Sequence, residues 1–368
     1  RVELAKAGYY NKAGLKVLVL ERRHLIGGAA VTEEVVPGFR WSVASYVMSL
    51  LSPRVINDLE LRKFGLTVLP ANDLFVPLED GDYLIFHDDV KKTQAQFARF
   101  SKHDAEVYPA FDQYLREATN VVRRLLYETP VDPSRRDWKS FRDTAMLLWR
   151  YRDVAGKMYR IADLMPQSVY DYLSRWFESD IIKAVLAYYA SIGTFAGPKS
   201  PGTAYVLMHH VMGEHAGAGG WGVIRGGMGA ISNAIAESGR RWGLETRVNA
   251  PVERVLVENG RAVGVALKGG EEIRAKIVAS NANAKTLYLR LVERKELPAE
   301  FVADIESYRT FSTAFKINIA CERPPQYKAF DRAKAGFDYP TYVHLGPTIE
   351  YLERAYDEAK YGDFSSRP

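Results

Sequence analysis

The segment LKVLVLERRHLIGG, residues 15–28, decides the fold class. Its first part, Leu15–Glu21, is a nearly continuous apolar run of β-forming residues closed by an acid. Such a run matches a parallel strand buried on both faces better than a strand with one wet side. Upstream, RVELAKAGYYNKAG (residues 1–14) carries apolar residues at helical spacing and stops at Gly14, where glycine commonly ends a helix. Helix, glycine, buried strand and terminal acid form the second half of a βαβ unit. An α/β fold of the dinucleotide-binding kind is therefore expected, with its first strand and glycine-rich turn expected just before Arg1.

Chemistry follows from the same stretch. A carboxylate at the carboxyl end of the second strand of such a fold can accept both hydroxyls of a ribose, which makes Glu21 a candidate ligand. Taken alone, Glu21 could equally be a solvent-facing acid. Gly27 and Gly28 stand just beyond it; lacking Cβ atoms, they let backbone approach a bound molecule, or they simply make a turn. The combination of strand, acid and paired glycines is far more specific than either part. Arg22 and Ala29, which flank these positions, complete the first candidate set.

A second glycine run, Arg225–Gly229 (RGGMG), feeds directly into the helical pattern AISNAIAESGRRWG. A glycine turn opening a helix presents backbone N–H groups and the positive end of the helix dipole. Gly226, Gly227 and Met228 are thus candidates for a cofactor or substrate contact, with tight packing as the alternative. Glycines are dense throughout residues 212–229. Beyond them, LETRVNAPVERVLVENGRAVGVAL reads as two strands joined at Glu258-Asn259-Gly260, with Asn-Gly as the hairpin signal. A turn at Gly269-Gly270 adds a third, giving a meander. Val252 on its first strand can offer backbone groups to a flat ring. Ile277–Ala282 is expected to return as an apolar strand whose Ser280 and Asn281 pass beneath a cofactor. For both, plain sheet structure is the alternative.

Residues 101–190 read as mainly helical, an inserted layer. His209 and His210, in YVLMHHVMG, are the candidate proton-transfer groups, because imidazole titrates near neutrality; a buried structural pair is the competing explanation. The run MLLWRYRDVAGKMYR (residues 146–160) is basic and amphipathic, and peripheral contact with a lipid headgroup surface competes there with an ordinary solvated helix face.

Composition removes other classes. The chain has 368 residues, 47% hydrophobic and 26% charged, with 50 Lys and Arg against 45 Asp and Glu. That is an ordinary globular composition with room for two domains, and a balance that close gives no reason to expect a nucleic-acid partner. No run of about 18 apolar residues exists to span a bilayer. Cys321 is the one cysteine, so neither a redox pair nor a cysteine zinc site can form within the chain. It is expected as a small core residue in the strand-like run FKINIACER, and the chain in a reducing, intracellular compartment. No H-E-x-x-H, P-loop or G-x-S-x-G motif and no metal-spaced cluster is present.

Taken together, ERRHLIGGAAVTEEVVPGFRWSVASYVMSLLSP, DYLSRWFESDIIKA, TAYVLMHHVMG, WGVIRGGMGAISNAIA and VASNA resemble the pyridine nucleotide-disulfide oxidoreductase domain-containing protein 2 family, a branch of the phytoene-dehydrogenase-like flavoproteins. The resemblance runs over essentially the whole chain. It implies a glutathione-reductase-type, Rossmann-like FAD-binding domain with a β-meander (residues 1–70 and 215–300) and a helix-rich substrate domain (71–214 and 301–368). It implies Glu21 on the adenosine ribose, Gly27 and Gly28 near the pyrophosphate and flavin, and Val252 against adenine. The implied activity is FAD-dependent oxidation of an apolar or amphipathic small molecule, by hydride transfer to flavin N5, with a separate electron acceptor. A flavin-binding regulator without turnover and a nicotinamide-only dehydrogenase are the rivals. The family's location implies bacterial cytoplasm, or the mitochondrial matrix in a eukaryote. Three departures stand out. The family's G-x-G-x-x-G start and its late glycine-rich FAD segment lie outside residues 1–368, as expected of a piece of a longer protein. Ala29 stands where many amine oxidases and carotene desaturases have an arginine, which deprives a pyrophosphate of a guanidinium partner.

Overall fold

The computed structural model describes residues 2–70, 73–132, 134–213, 221–310 and 314–366, with strands and helices numbered in chain order. Residues 214–220, part of the dense glycine segment at 212–229, lie outside the described residues. The chain divides into two compact units. One comprises residues 1–69, 222–310 and 316–320; the other comprises 70–221, 311–315 and 321–368.

The first unit repeats helix followed by strand. Helix α1 (Val2–Lys12) runs into β1 (Leu18–Leu20), and α10 (Gly229–Arg240) runs into β8 (Glu245–Arg247). Each helix hands over through a glycine in the left-handed region, Gly14 at φ 84° and Gly243 at φ 88°, a conformation that costs an L-residue with a Cβ. The two strands pair in parallel, Leu18 opposite Glu245 and Leu20 opposite Arg247. Beneath them, Ile231 and Ile235 of α10 join Leu59, Leu61 and Met48 in a core of fully buried side chains. β1 is shorter than Leu15–Glu21, and it is half-buried instead of buried on both faces. The physical reason is that β8 is its one neighbouring strand among the described residues.

Three further sheets belong to this unit. β2 (Thr32–Val36) and β3 (Phe39–Ser42) form a hairpin with Thr32 opposite Ser42. β4 (Val68–Pro70) pairs with β7 (Gly222–Ile224). The meander has the order β11-β10-β9, with β9 Val252–Glu258, β10 Arg261–Leu267 and β11 Glu272–Arg274. Asn259 and Gly260 at its first turn have φ of 48° and 71°, the two positive angles that Asn-Gly supplies in a tight hairpin. Beyond β11 the expected strand at Ile277–Ala282 does not form. Those residues carry no regular secondary structure and are mostly exposed, because no described strand lies beside them to take their hydrogen bonds. The unit also holds α2 (Pro53–Asp58), α11 (Ala284–Thr286) and α12 (Ala299–Ser307).

The second unit is helical around a small sheet of order β12-β5-β6, with β5 Leu74–Pro77, β6 Tyr83–Phe86 and β12 Tyr342–Val343. Its helices are α3 (Val90–Phe97), α4 (Lys102–Leu125), α5 (Trp138–Arg150), α6 (Met158–Leu164), α7 (Val169–Ser174), α8 (Asp180–Ser191), α9 (Thr203–Val211), α13 (Arg332–Ala335) and α14 (Ile349–Lys360). α4 shows why the sequence goes helical here. Ser101 caps its start by accepting the Asp104 N–H at 3.1 Å, and Ala105, Tyr108, Phe111, Leu115 and Ala118 recur at helical spacing on the face turned to the core. The strand expected at FKINIACER is absent. Residues 314–321 carry no regular secondary structure, and Cys321 is exposed, not a core residue.

A buried carboxylate ties this unit together. Asp104 is fully buried, and its two oxygens accept the N–H groups of Glu178 and Ser179, both at 2.9 Å. Those are orphan donors at the start of α8, whose cap residue Ser179 makes no side-chain cap bond. Asp104→Ala strands both donors, at about 1–3 kcal/mol for each buried group left unpaired. Urea unfolding should show a loss of roughly 3 kcal/mol, and Asp104→Asn, which keeps one acceptor, should recover part of it.

Candidate functional site

At the end of β1 the chain turns tightly, and Glu21 is fixed there from both sides. Its N–H donates to the Arg247 carbonyl at 2.9 Å, and its carbonyl accepts the Ala250 N–H at 2.9 Å. These bonds extend the β1–β8 ladder, and Val252 opens β9 two residues past Ala250. The side chain curls back so that Oε1 accepts the Arg23 N–H at 2.9 Å. Arg23 is held in turn by Glu33 at 2.7 Å. That bond, more than the nearby charges of Glu33 and Glu21, raises the guanidinium's pKa. A half-buried carboxylate thus sits at the carboxyl end of a parallel strand, oriented by backbone and not by a cation.

The paired glycines do different jobs. Gly27 has φ 131°, and a Cβ there would stand 2.4 Å from the Ala30 carbonyl and 2.7 Å from Ser232 Oγ. It is the seat of α10: Ser232 Oγ donates to the Ala30 carbonyl at 2.9 Å, and Ala30 N–H closes a turn onto the Gly27 carbonyl. Gly28 (φ 59°) is exposed, and a Cβ there would meet nothing within 4 Å. Its open backbone faces the surface. Arg22 and Ala29 are exposed as well, and the Ala29 carbonyl accepts the Ser45 N–H at 3.0 Å.

The second glycine run departs from the free-donor expectation. Met228 N–H donates to Ser42 Oγ at 2.9 Å and Gly229 N–H to Thr32 Oγ1 at 3.0 Å. The start of α10 is therefore capped by the β2–β3 hairpin. Gly227 (φ 80°) has no room for a side chain, since a Cβ would lie 2.3 Å from Thr32 Oγ1. The Met228 side chain is fully buried in the core of this unit, so it is a packing residue, not a contact surface. Gly226 alone stays open, with only Ala230 Cβ at 3.9 Å. Ser280 and Asn281 are exposed, the Ser280 hydroxyl accepting the Ala282 N–H at 3.2 Å.

Glu21, Arg22, Gly27, Gly28, Ala29, Gly226 and Val252 thus belong to the first unit, built around the β1–β8 ladder and the start of α10. His209 and His210 belong to the second, at the end of α9. His210 Nδ1 lies 2.9 Å from the Val206 carbonyl one turn back, donating to it. Burial lowers the pKa of both imidazoles, and for His210 the bond to Val206 opposes it.

Several residues escaped the sequence reading. Thr32 and Ser42 meet only through the hairpin register; the Pro37-Gly38 pair between them was its signal. Lys316 donates to the carbonyls of Ser42 and Ala44, and burial lowers its pKa. In the second unit His344 is buried, with its ring 4.2 Å from that of Tyr188. Its Nε2 has no hydrogen-bond partner among the described residues, and burial pushes its pKa down to about 4. The His103, Asp104 and Glu178 side chains also converge, with His103 Nδ1 3.1 Å from Asp104 Oδ1.

The family described as flavin containing amine oxidoreductase matches residues 4–357. The chain is 36% identical to pyridine nucleotide-disulfide oxidoreductase domain-containing protein 2 of Rattus norvegicus, over 99% of its own length and 66% of the relative's. It is 27% identical to a limonene dehydrogenase component from Castellaniella defragrans, over 90% of this chain and 60% of that one. A solved structure of a protein from Pyrococcus furiosus shares the fold, with TM-score 0.53 at 15% identity, covering 83% of this chain and 63% of that one. This chain therefore spans just under two thirds of the length of the rat protein. No helix among the described residues is long and apolar enough to cross a membrane. The match over residues 4–357 and the identity to the rat protein over 99% of the chain give one assignment: the chain belongs to the flavin containing amine oxidoreductase family.

Proposed function

We propose that this chain forms the greater part of an FAD-dependent oxidoreductase acting on an apolar or amphipathic small molecule. The observation that carries the proposal is Glu21, a carboxylate held by the Arg23 N–H at the end of β1. It stands beside the Arg247–Ala250 segment, and the open backbone of Gly28 follows seven residues on. The residues fit the adenosine half of the cofactor: an acceptor for two ribose hydroxyls, a stretch without side chains for the pyrophosphate, and the backbone of Val252 for the adenine edge. Ala29 offers no guanidinium, so the pyrophosphate would rely on backbone donors. Bound FAD would supply a two-electron acceptor, taking a hydride at N5.

The substrate class rests on two supports. One relative is a component of a limonene dehydrogenase, whose name gives a hydrocarbon substrate. The second unit is rich in aromatic contacts, with Tyr189 and Trp221 rings 5.5 Å apart, edge to face, and Trp221 and Tyr342 at 6.4 Å. A reducing, intracellular setting, in a eukaryote the mitochondrial matrix, and a separate electron acceptor complete the proposal.

The test uses the full-length protein. It should purify yellow, or become so after incubation with FAD, and released cofactor should chromatograph as FAD. Glu21→Ala should weaken FAD binding on the order of ten-fold or more, since hydrogen bonds from a charged acceptor are worth about 1.5–3 kcal/mol. A colourless protein that yields NAD and no flavin would sink the proposal.

The glycine pair separates scaffold from site. Gly27→Ala forces a Cβ against backbone at positive φ and should cost roughly 3 kcal/mol in urea unfolding. Gly28→Ala meets no atom and should cost only about 1 kcal/mol, the left-handed penalty, while still reducing FAD affinity.

A further inference from the structure

Helix α5 is inverted relative to an ordinary surface helix. At 100° per residue, Trp138, Phe141, Ala145, Leu148 and Trp149 share one face. That face points outward: Trp138 is 76%, Phe141 64%, Leu148 63% and Trp149 68% exposed. The half-buried face carries Ser140, Thr144 and Leu147 instead, and no residue of the helix is fully buried. Contiguous large apolar side chains at this exposure mark a surface that meets something other than water. Trp138 and Phe141 stack at 5.6 Å, so the exposed rings form a continuous patch.

Charge says what that partner is. Residues 135–160 contain eight Arg and Lys against three Asp, a net +5, which equals the net charge of the whole chain. All the positive excess of the protein is thus accounted for within this one segment. Lys139, Arg142 and Arg150 fall along one edge of the apolar stripe, on the same 100° spacing, with Arg142 paired to Asp143 and Arg150 to Glu128. At the opening of the helix, Arg135, Arg136, Trp138 and Phe141 line a shallow cleft of about 510 Å³ with Asp132 and Asp137. Arg152 lies over the Trp149 ring at 4.4 Å. Aromatic side chains amid arginines suit the headgroup level of a bilayer, where rings sit at the apolar boundary and cations meet phosphates.

We infer that α5 docks this protein on an anionic phospholipid surface, lying in the plane of the headgroups with Trp138, Phe141, Leu148 and Trp149 inserted. The cationic edge supplies attraction to acidic headgroups, and the apolar stripe supplies depth. No helix need span the membrane. Such docking would give an enzyme of apolar compounds access to molecules dissolved in the bilayer, but it does not depend on flavin binding.

The experiment is vesicle flotation of the full-length protein with phosphatidylcholine alone and with phosphatidylcholine and phosphatidylglycerol in equal parts. Binding is expected to the anionic vesicles, weakly to the neutral ones, and to fall as salt rises. The double variant Trp138→Ala and Trp149→Ala should lose on the order of ten-fold in partitioning, and Arg136→Glu with Lys139→Glu should abolish the preference for anionic lipid. Because these side chains are exposed, thermal unfolding of the variants should match the parent. Equal flotation with both vesicles, or variants that bind like the parent, would overturn the inference. So would light scattering that shows the tryptophans holding two copies of the chain together.

Discussion

Much of the first unit hangs on one close approach, the backbone at Gly27 against helix α10. With a Cβ position 2.4 Å from the Ala30 carbonyl and 2.7 Å from Ser232 Oγ, this turn and that helix can meet only if residue 27 has no side chain. The contact sets the depth at which α10 lies, and α10 in turn delivers the chain into β8, the parallel neighbour of β1. Thr32 and Ser42 lock the same end of α10 by capping its N-terminus. The carboxylate of Glu21 is placed by the same ladder. Scaffold and candidate site are therefore one hydrogen-bonded assembly, with the open Gly28 as the point where it reaches solvent.

The second unit solves a similar problem with a charge. Asp104 is withdrawn from water, which is tolerable because backbone donors of the α8 entrance satisfy both of its oxygens. A helix start that lacks its own capping side chain is supplied with one from α4. Hairpin hydroxyls in one unit and a buried acid in the other do the same work, closing a helix end by a side chain distant in sequence.

Local chemistry was what the sequence expressed most clearly. Helix, glycine stop and strand at residues 1–21 were legible because apolar periodicity changes abruptly there. The Asn259-Gly260 hairpin was legible because few other dipeptides accept two positive φ angles. Readings that depended on distant partners fared worse. Ile277–Ala282 and FKINIACER have strand-like alternation, yet a strand exists only beside another, and none among the described residues lies next to either. The glycines at 226–229 looked like a ligand cradle because a helix start with free N–H groups and one capped by far-off hydroxyls have the same local sequence. His344 gave no sign at all, since neither its burial nor the unpaired Nε2 has a signature in spacing.

Cys321 was expected in the core and is exposed. As the single thiol of the chain, it offers one place for a maleimide to react. A spectroscopic tag coupled there would report from the second unit without competing labels and without any residue being engineered away. The accident that leaves the one thiol of residues 1–368 in water makes this chain ready for site-specific labelling.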